Sequence, residues 1–238
     1  MIQTNSTDTN WKNLYRIGAV AALIFVVYSL VTMIILVVIG GQPETALEAF
    51  NMLEENRLIG LLRLDILTLL IVPLYYPIFL SIFVALKKSQ VAYATLGALL
   101  AFAGVTLFLA TPSVFSWIAL GDKYATATSA AQRNQLLAAG EAILASDMWH
   151  GSGAMIGGVL MLIAALLLLV VMLNSKDFGK GTAYVGIISH GLDLARIFVG
   201  LFIPQATIIL MAIAGPLYLV WFPLLARDFF KLMQNDTL

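Results

Sequence analysis

The chain contains no cysteine, which excludes disulfides, thiol redox chemistry and thiolate metal sites. Charge is almost as scarce. Asp, Glu, Lys and Arg make up 11% of the 238 residues, where soluble domains carry about 25%. The 13 basic and 13 acidic residues cancel, so no nucleic-acid partner is expected. There are two histidines, His150 and His190. No Walker motif, no glycine-rich turn opening a helix after a strand and no GxSxG occur, so no nucleotide or other cofactor and no catalytic residue is expected.

Apolar residues fill the space that charge leaves: they form 61% of the chain, and the mean hydropathy is +0.96. They are gathered into six runs, approximately 17–40, 58–86, 92–118, 151–173, 182–203 and 206–226. A helix needs about 20 such residues to cross roughly 30 Å of hydrocarbon. The composition predicts an all-α fold, a polytopic membrane protein built as a six-transmembrane-helix bundle, with 1–238 as a single domain. The polar opening MIQTNSTDTNWKNLYR and the absence of a small-residue cleavage site predict that the first run stays in the mature protein.

Basic residues set the expected orientation. Lys12 and Arg16 precede the first run, Lys87 and Lys88 follow the second, Lys176 and Lys180 the fourth, and Arg227 and Lys231 the sixth. With six crossings these eight fall on one side, while Arg57, Lys123 and Arg133 fall on the other. The positive-inside rule then puts both termini in the cytoplasm and the multi-pass chain in a cytoplasmic (inner) membrane, with lipids as its partners. Two outer connectors exceed a turn. In 41–57, Leu47, Phe50 and Leu53 recur at helical spacing. In 119–149, between the third and fourth runs, Ser129 and Gln132 fit a capping box ahead of a short amphipathic helix, which would lie on the membrane surface or cap the bundle. A lid over an outward cavity is the sharper alternative.

Small residues mark where helices can approach closely in lipid. Gly153 and Gly157 form a GxxxG beside Gly158, and Ala94, Gly97, Ala101 and Gly104 share a stripe; Gly186 and Gly200 lie near another. Contact within the molecule is the plainer reading, and homodimerisation the lesser. Pro73, Pro77 and Gly215-Pro216 are expected to kink their helices, as at transporter binding sites or as static bends.

Ionisable groups within such runs cost about 2.5–3.5 kcal/mol at mid-bilayer and usually pair inside the bundle. Arg63 and Asp65 lie in the second run, Asp193 and Arg196 in the fifth. Counting 1.5 Å per residue places Asp65 and Arg196 each about 10 Å from the outer boundary, which predicts an Asp65–Arg196 pair. Asp193 and His190 continue the Arg196 face at intervals of three, and Asp147 and His150 repeat that spacing at the outer mouth of the fourth run. Three readings of Arg63, Asp65, Asp147, His150, His190, Asp193 and Arg196 follow. The first is a satisfied network that fixes helix register. The second is an outward-facing polar cavity that binds or conducts a small solute, with His190 proton-responsive. The third is an intramembrane metal-dependent hydrolase using His150, His190 and an Asp, the weakest because HExxH and cysteine are missing. His150 beside Trp149 also reads simply as an interfacial residue. No metal is expected.

Three stretches carry a resemblance: LGDKYATATSAAQRNQLLAAGEAILA, NSKDFGKGTAYVGIISHGLDLA and GPLYLVWFPLLARDFFKL. They resemble segments of a bacterial and archaeal membrane family known as a domain of unknown function (number four-three-eight-six). The run from Lys176-Asp177-Phe178 to Thr182-Ala183-Tyr184-Val185-Gly186-Ile187 is the most distinctive. The resemblance implies a multi-span helical membrane protein and brings no activity, substrate or catalytic residue. A non-enzymatic structural or regulatory membrane protein leads, ahead of a small-solute transporter or channel.

Overall fold

A computed structural model describes residues 4–111, 114–148 and 150–234, with the side chains of 4–10 left out. Trp149 lies outside the described residues. Helix is the regular structure found throughout: α1 (Thr4–Val38), α2 (Ala46–Glu55), α3 (Arg57–Arg63), α4 (Ile66–Ile71), a 3₁₀ turn (Val72–Leu74), α5 (Tyr75–Leu86), α6 (Val91–Leu109), α7 (Val114–Thr126), α8 (Ala130–Leu144), α9 (Ser152–Asn174), α10 (Lys180–Gly200) and α11 (Pro204–Gln234).

Among the described residues, five segments are long and apolar enough to cross a membrane: Trp11–Val38, Ile66–Leu86, Val91–Thr126, Ser152–Asn174 and Pro204–Gln234. Large apolar side chains on them face outward, with Val37 79% exposed and Val38 75%. A soluble surface does not carry apolar patches on this scale, and the pattern is compatible with a membrane protein of several spans. The count differs from the six expected. The run 182–203 is helical as α10 over 21 residues, but His190, Asp193 and Arg196 interrupt its apolar character.

The expected second span, 58–86, is not one helix. It breaks at Leu64–Asp65, where Asp65 adopts the left-handed conformation with φ 62° and ψ 41°. Asp tolerates this region better than most residues, because its short side chain can bond locally. The Asp65 N–H bonds to Leu62 O and the Thr68 N–H to Asp65 O, a tightened ladder that turns α3 away from α4. Pro73 then falls within the 3₁₀ turn, where its missing N–H is tolerated. The expected third span, 92–118, divides into α6 and α7. In contrast, α11 runs through Pro216 and Pro223 as a single helix.

The chain forms two compact units. Unit one comprises 1–27, 73–105 and 157–238. Within it, α6 and α9 approach through their small residues: a Cβ on Gly104 would stand 2.6 Å from Gly157 O and 2.9 Å from Met161 N. Gly97 meets Leu168, and Gly186 of α10 meets Leu169 and the Trp221 ring. The glycine stripes are thus seams between helices of one molecule. Phe25 stacks on Phe222 at 4.9 Å and packs on Tyr75 at 4.3 Å.

Unit two comprises 28–72 and 106–156. Its core joins Ala46, Ala49, Phe50, Leu53, Val114 and Trp117, with Leu137 and Leu144 of α8 packed against it. Thr45 caps α2 through its side chain, which accepts from the Glu48 N–H, and Glu48 Oε2 accepts in turn from the Glu44 N–H at 2.9 Å. The Ser129–Gln132 capping box forms at the start of α8. Apolar and polar residues of α8 are poorly segregated, and its closest approach to α2 is at Gly140, where a Cβ would lie 2.6 Å from the Ala46 Cβ.

Candidate functional site

The seven singled-out residues fall into two groups, one in each unit. In unit one, α10 carries His190, Asp193 and Arg196. The Arg196 Nε donates to Asp193 Oδ1 at 2.7 Å, and the Tyr218 hydroxyl of α11 donates to Asp193 Oδ2 at 3.3 Å. Arg196 and Asp193 side chains are 29% and 24% exposed. His190 is buried, its Nδ1–H donating to Gly186 O at 2.8 Å. Its ring meets Trp221 edge-on at 4.5 Å and Tyr218 at 5.0 Å. Three polar groups at i, i+3 and i+6 thus lie on the face that α10 turns to α11, as helical geometry dictates.

In unit two, Arg63 ties the start of the first outer connector to α2. Its Nε donates to Gly41 O at 2.6 Å and its Nη2 to Glu48 Oε1 at 2.8 Å. The Glu48 carboxyl is held below the usual carboxylate range, first by the Glu44 N–H and, against some burial, by Arg63. A depressed carboxyl stabilises the fold above its ordinary pKa, and that contribution is lost as pH falls through the lower folded value. Asp65 lies within electrostatic reach of Tyr28 and Thr68, whose hydroxyls bond to each other. Asp65 and Arg196 belong to different units, so their pairing stays an expectation, tested below.

Asp147 and His150, three residues apart in the sequence, are in contact. Asp147 is buried, and its Oδ1 accepts from both the His150 backbone N–H at 3.1 Å and the ring Nδ1–H at 3.0 Å. The His150 side chain is 57% exposed and borders an open cleft of about 540 Å³ lined by Gln42, Pro43, Glu44, Glu141, Leu144 and Ala145. A small cavity of about 20 Å³ beside it includes Asp147, Trp117 and Met148. Glu141 reaches from α8 to accept the Ala46 N–H at 2.8 Å, holding the start of α2. Among the described residues no three His, Asp or Glu gather as a metal-ligand set.

Sequence reasoning missed Asp228. It is 1% exposed, and its Oδ2 accepts from the Gly179 N–H at 2.9 Å and the Thr182 hydroxyl at 2.5 Å. Oδ1 accepts two bonds from Arg227, at 3.1 and 2.9 Å. The carboxylate sits where the positive end of the α10 dipole and its unpaired N–H groups favour an anion. Arg-Asp at the end of an apolar run reads as an inner boundary, which concealed this inward-turned role. Tyr218 and Glu141 were missed as well, because nothing in their spacing links them to their partners.

Compared with known proteins, the chain matches no family model, no curated protein and no solved structure.

Proposed function

We propose that the chain is a non-enzymatic integral membrane protein, structural or regulatory in role, whose interior polar groups hold helix register. The observation that carries this reading is the bonding around Asp193 in unit one, which pairs with Arg196 of its own helix and accepts from Tyr218 of α11, while His190 donates to a backbone carbonyl of α10. Polar groups that satisfy one another specify how helices meet even where they add little net stability. In this reading α10 is the sixth crossing, both termini are cytoplasmic and the membrane is a cytoplasmic one. The three stretches named above would place the chain in the domain-of-unknown-function family they resemble.

A double-mutant cycle tests the network. Asp193→Ala and Arg196→Ala are expected to couple by about 1 kcal/mol, because each single change removes the same interaction. Asp65→Ala with Arg196→Ala tests the expected pair in the same way: coupling would support it, and additive losses would refute direct pairing. Additive losses at Asp193 and Arg196 would sink the network.

Orientation has its own test. The cysteine-free chain allows single-cysteine labelling without background. Cysteines at Lys88 and Glu54 are expected to react with membrane-impermeant reagents from the inner and outer face respectively; labelling of both from one face would refute the topology.

A second reading, a small-solute site, is favoured by the cleft bordered by His150. The metal-dependent hydrolase gains no support, because His150 is turned to Asp147 and His190 to Gly186 O.

A further inference from the structure

We propose that the small cavity of unit two is the site of one ordered water molecule, which joins the Leu64 carbonyl, the Trp117 indole N–H and the Asp147 carboxylate and so satisfies the helix break at Asp65. The cavity measures about 20 Å³, and Leu64, Val114, Trp117, Asp147 and Met148 are among the residues that line it. A buried water needs roughly 10–15 Å³ of such space and about two to four polar partners.

The break supplies the first acceptor. In an unbroken helix the Thr68 N–H would bond to Leu64 O, but here it bonds to Asp65 O. Among the described residues no other bond to the Leu64 carbonyl is found, and Leu64 is 7% exposed. Buried main-chain groups are nearly always paired, with ordered water where the protein offers nothing. Within a membrane, water is one of the means by which the groups freed by a helix break are satisfied again.

Trp117 supplies the donor. It is 2% exposed, and Phe50 holds its ring edge-on at 5.9 Å. No bond from its Nε1–H is found among the described residues, although an indole N–H can only donate. The second acceptor is Asp147, also buried. His150 takes two bonds to its Oδ1, and a carboxylate has about four acceptor sites.

One donor and two acceptors around a space of this size select the ligand. A cation has nothing to offer the indole proton, and an anion cannot serve the carbonyl or the carboxylate. Water accepts once and donates twice, which matches all three groups. Bound there, it ties the turn between α3 and α4 to α7 and to the connector between α8 and α9.

NMR of the detergent-solubilised full chain, with ¹⁵N in its four tryptophans, tests the site. The indole signal that Trp117→Phe removes is expected to show dipolar cross-relaxation with water. Trp221 is the internal control. Its Nε1 is also buried without a partner, but Gly186 packs against it so closely that a Cβ there would stand 2.5 Å away, and no water signal is expected. Thermal unfolding verifies that Trp117→Phe folds; if it does not, replacing the other tryptophans one at a time assigns the same signal by elimination. No water contact at Trp117, or equal contact at both indoles, would overturn the assignment. An experimental structure that resolves ordered water is expected to place one within about 3.2 Å of both Trp117 Nε1 and Leu64 O, and density showing none there would overturn it too.

Discussion

Asp228→Ala is expected to lower the stability of the detergent-solubilised protein by about 3 kcal/mol, near the lower end of the cost of breaking a buried charge pair. The change removes the acceptor of the Gly179 N–H and the Thr182 hydroxyl and leaves both without a partner. Each unsatisfied buried group costs about 1–3 kcal/mol. Arg227, with 48% of its side chain exposed, recovers water and limits the loss. Asp228→Asn keeps one acceptor oxygen but presents an amide to Arg227, so an intermediate loss is expected. Because the carboxylate ties α11 to the connector that starts α10, Asp228→Ala should also speed tryptic cleavage at Lys176 and Lys180. Chemical unfolding followed by intrinsic fluorescence measures the first effect, and a proteolysis time course the second. A loss below about 1 kcal/mol with unchanged cleavage would mean that the clamp is incidental.

The case of Asp228 shows where the sequence stops speaking. Length and apolar content locate the long helices, since both depend only on local composition. Capping is local as well, and Ser129 with Gln132 announced α8 from a spacing of three residues. The Asp193–Arg196 pair was legible for the same reason. Partners distant in sequence were not. Asp228 and Gly179 are separated by 49 positions, and Glu141 and Ala46 by 95; no periodicity connects them. The break at Asp65 was hidden because Arg63 and Asp65 read as buried charges within one long apolar run rather than as its boundary. Left-handed geometry at a non-glycine residue leaves little trace in hydropathy. The sixth crossing has the opposite problem: α10 has the length of a span, but its polar face lowers the average on which such a reading rests.

Gly104→Ala and Gly158→Ala are expected to move stability in opposite directions, although each adds one methyl group to a glycine in a long helix. By intrinsic propensity alone, either change would favour the helix by about 1 kcal/mol. At Gly158 a Cβ would find nothing within 4 Å, so a gain or no change is expected. At Gly104 the new atom would stand 2.6 Å from Gly157 O and 2.9 Å from Met161 N. Both are backbone atoms of α9, which no rotamer change can relieve. The two helices must separate, and close packing is the main source of their association in lipid. Overpacking of this kind costs about 1–3 kcal/mol, and a clash with backbone belongs at the upper end, so a net loss of about 2 kcal/mol is expected. Thermal unfolding of the two variants beside the parent chain decides the matter. A stabilised Gly104→Ala would show that α6 and α9 are not held at backbone contact, and the glycine stripe would lose its meaning as a seam.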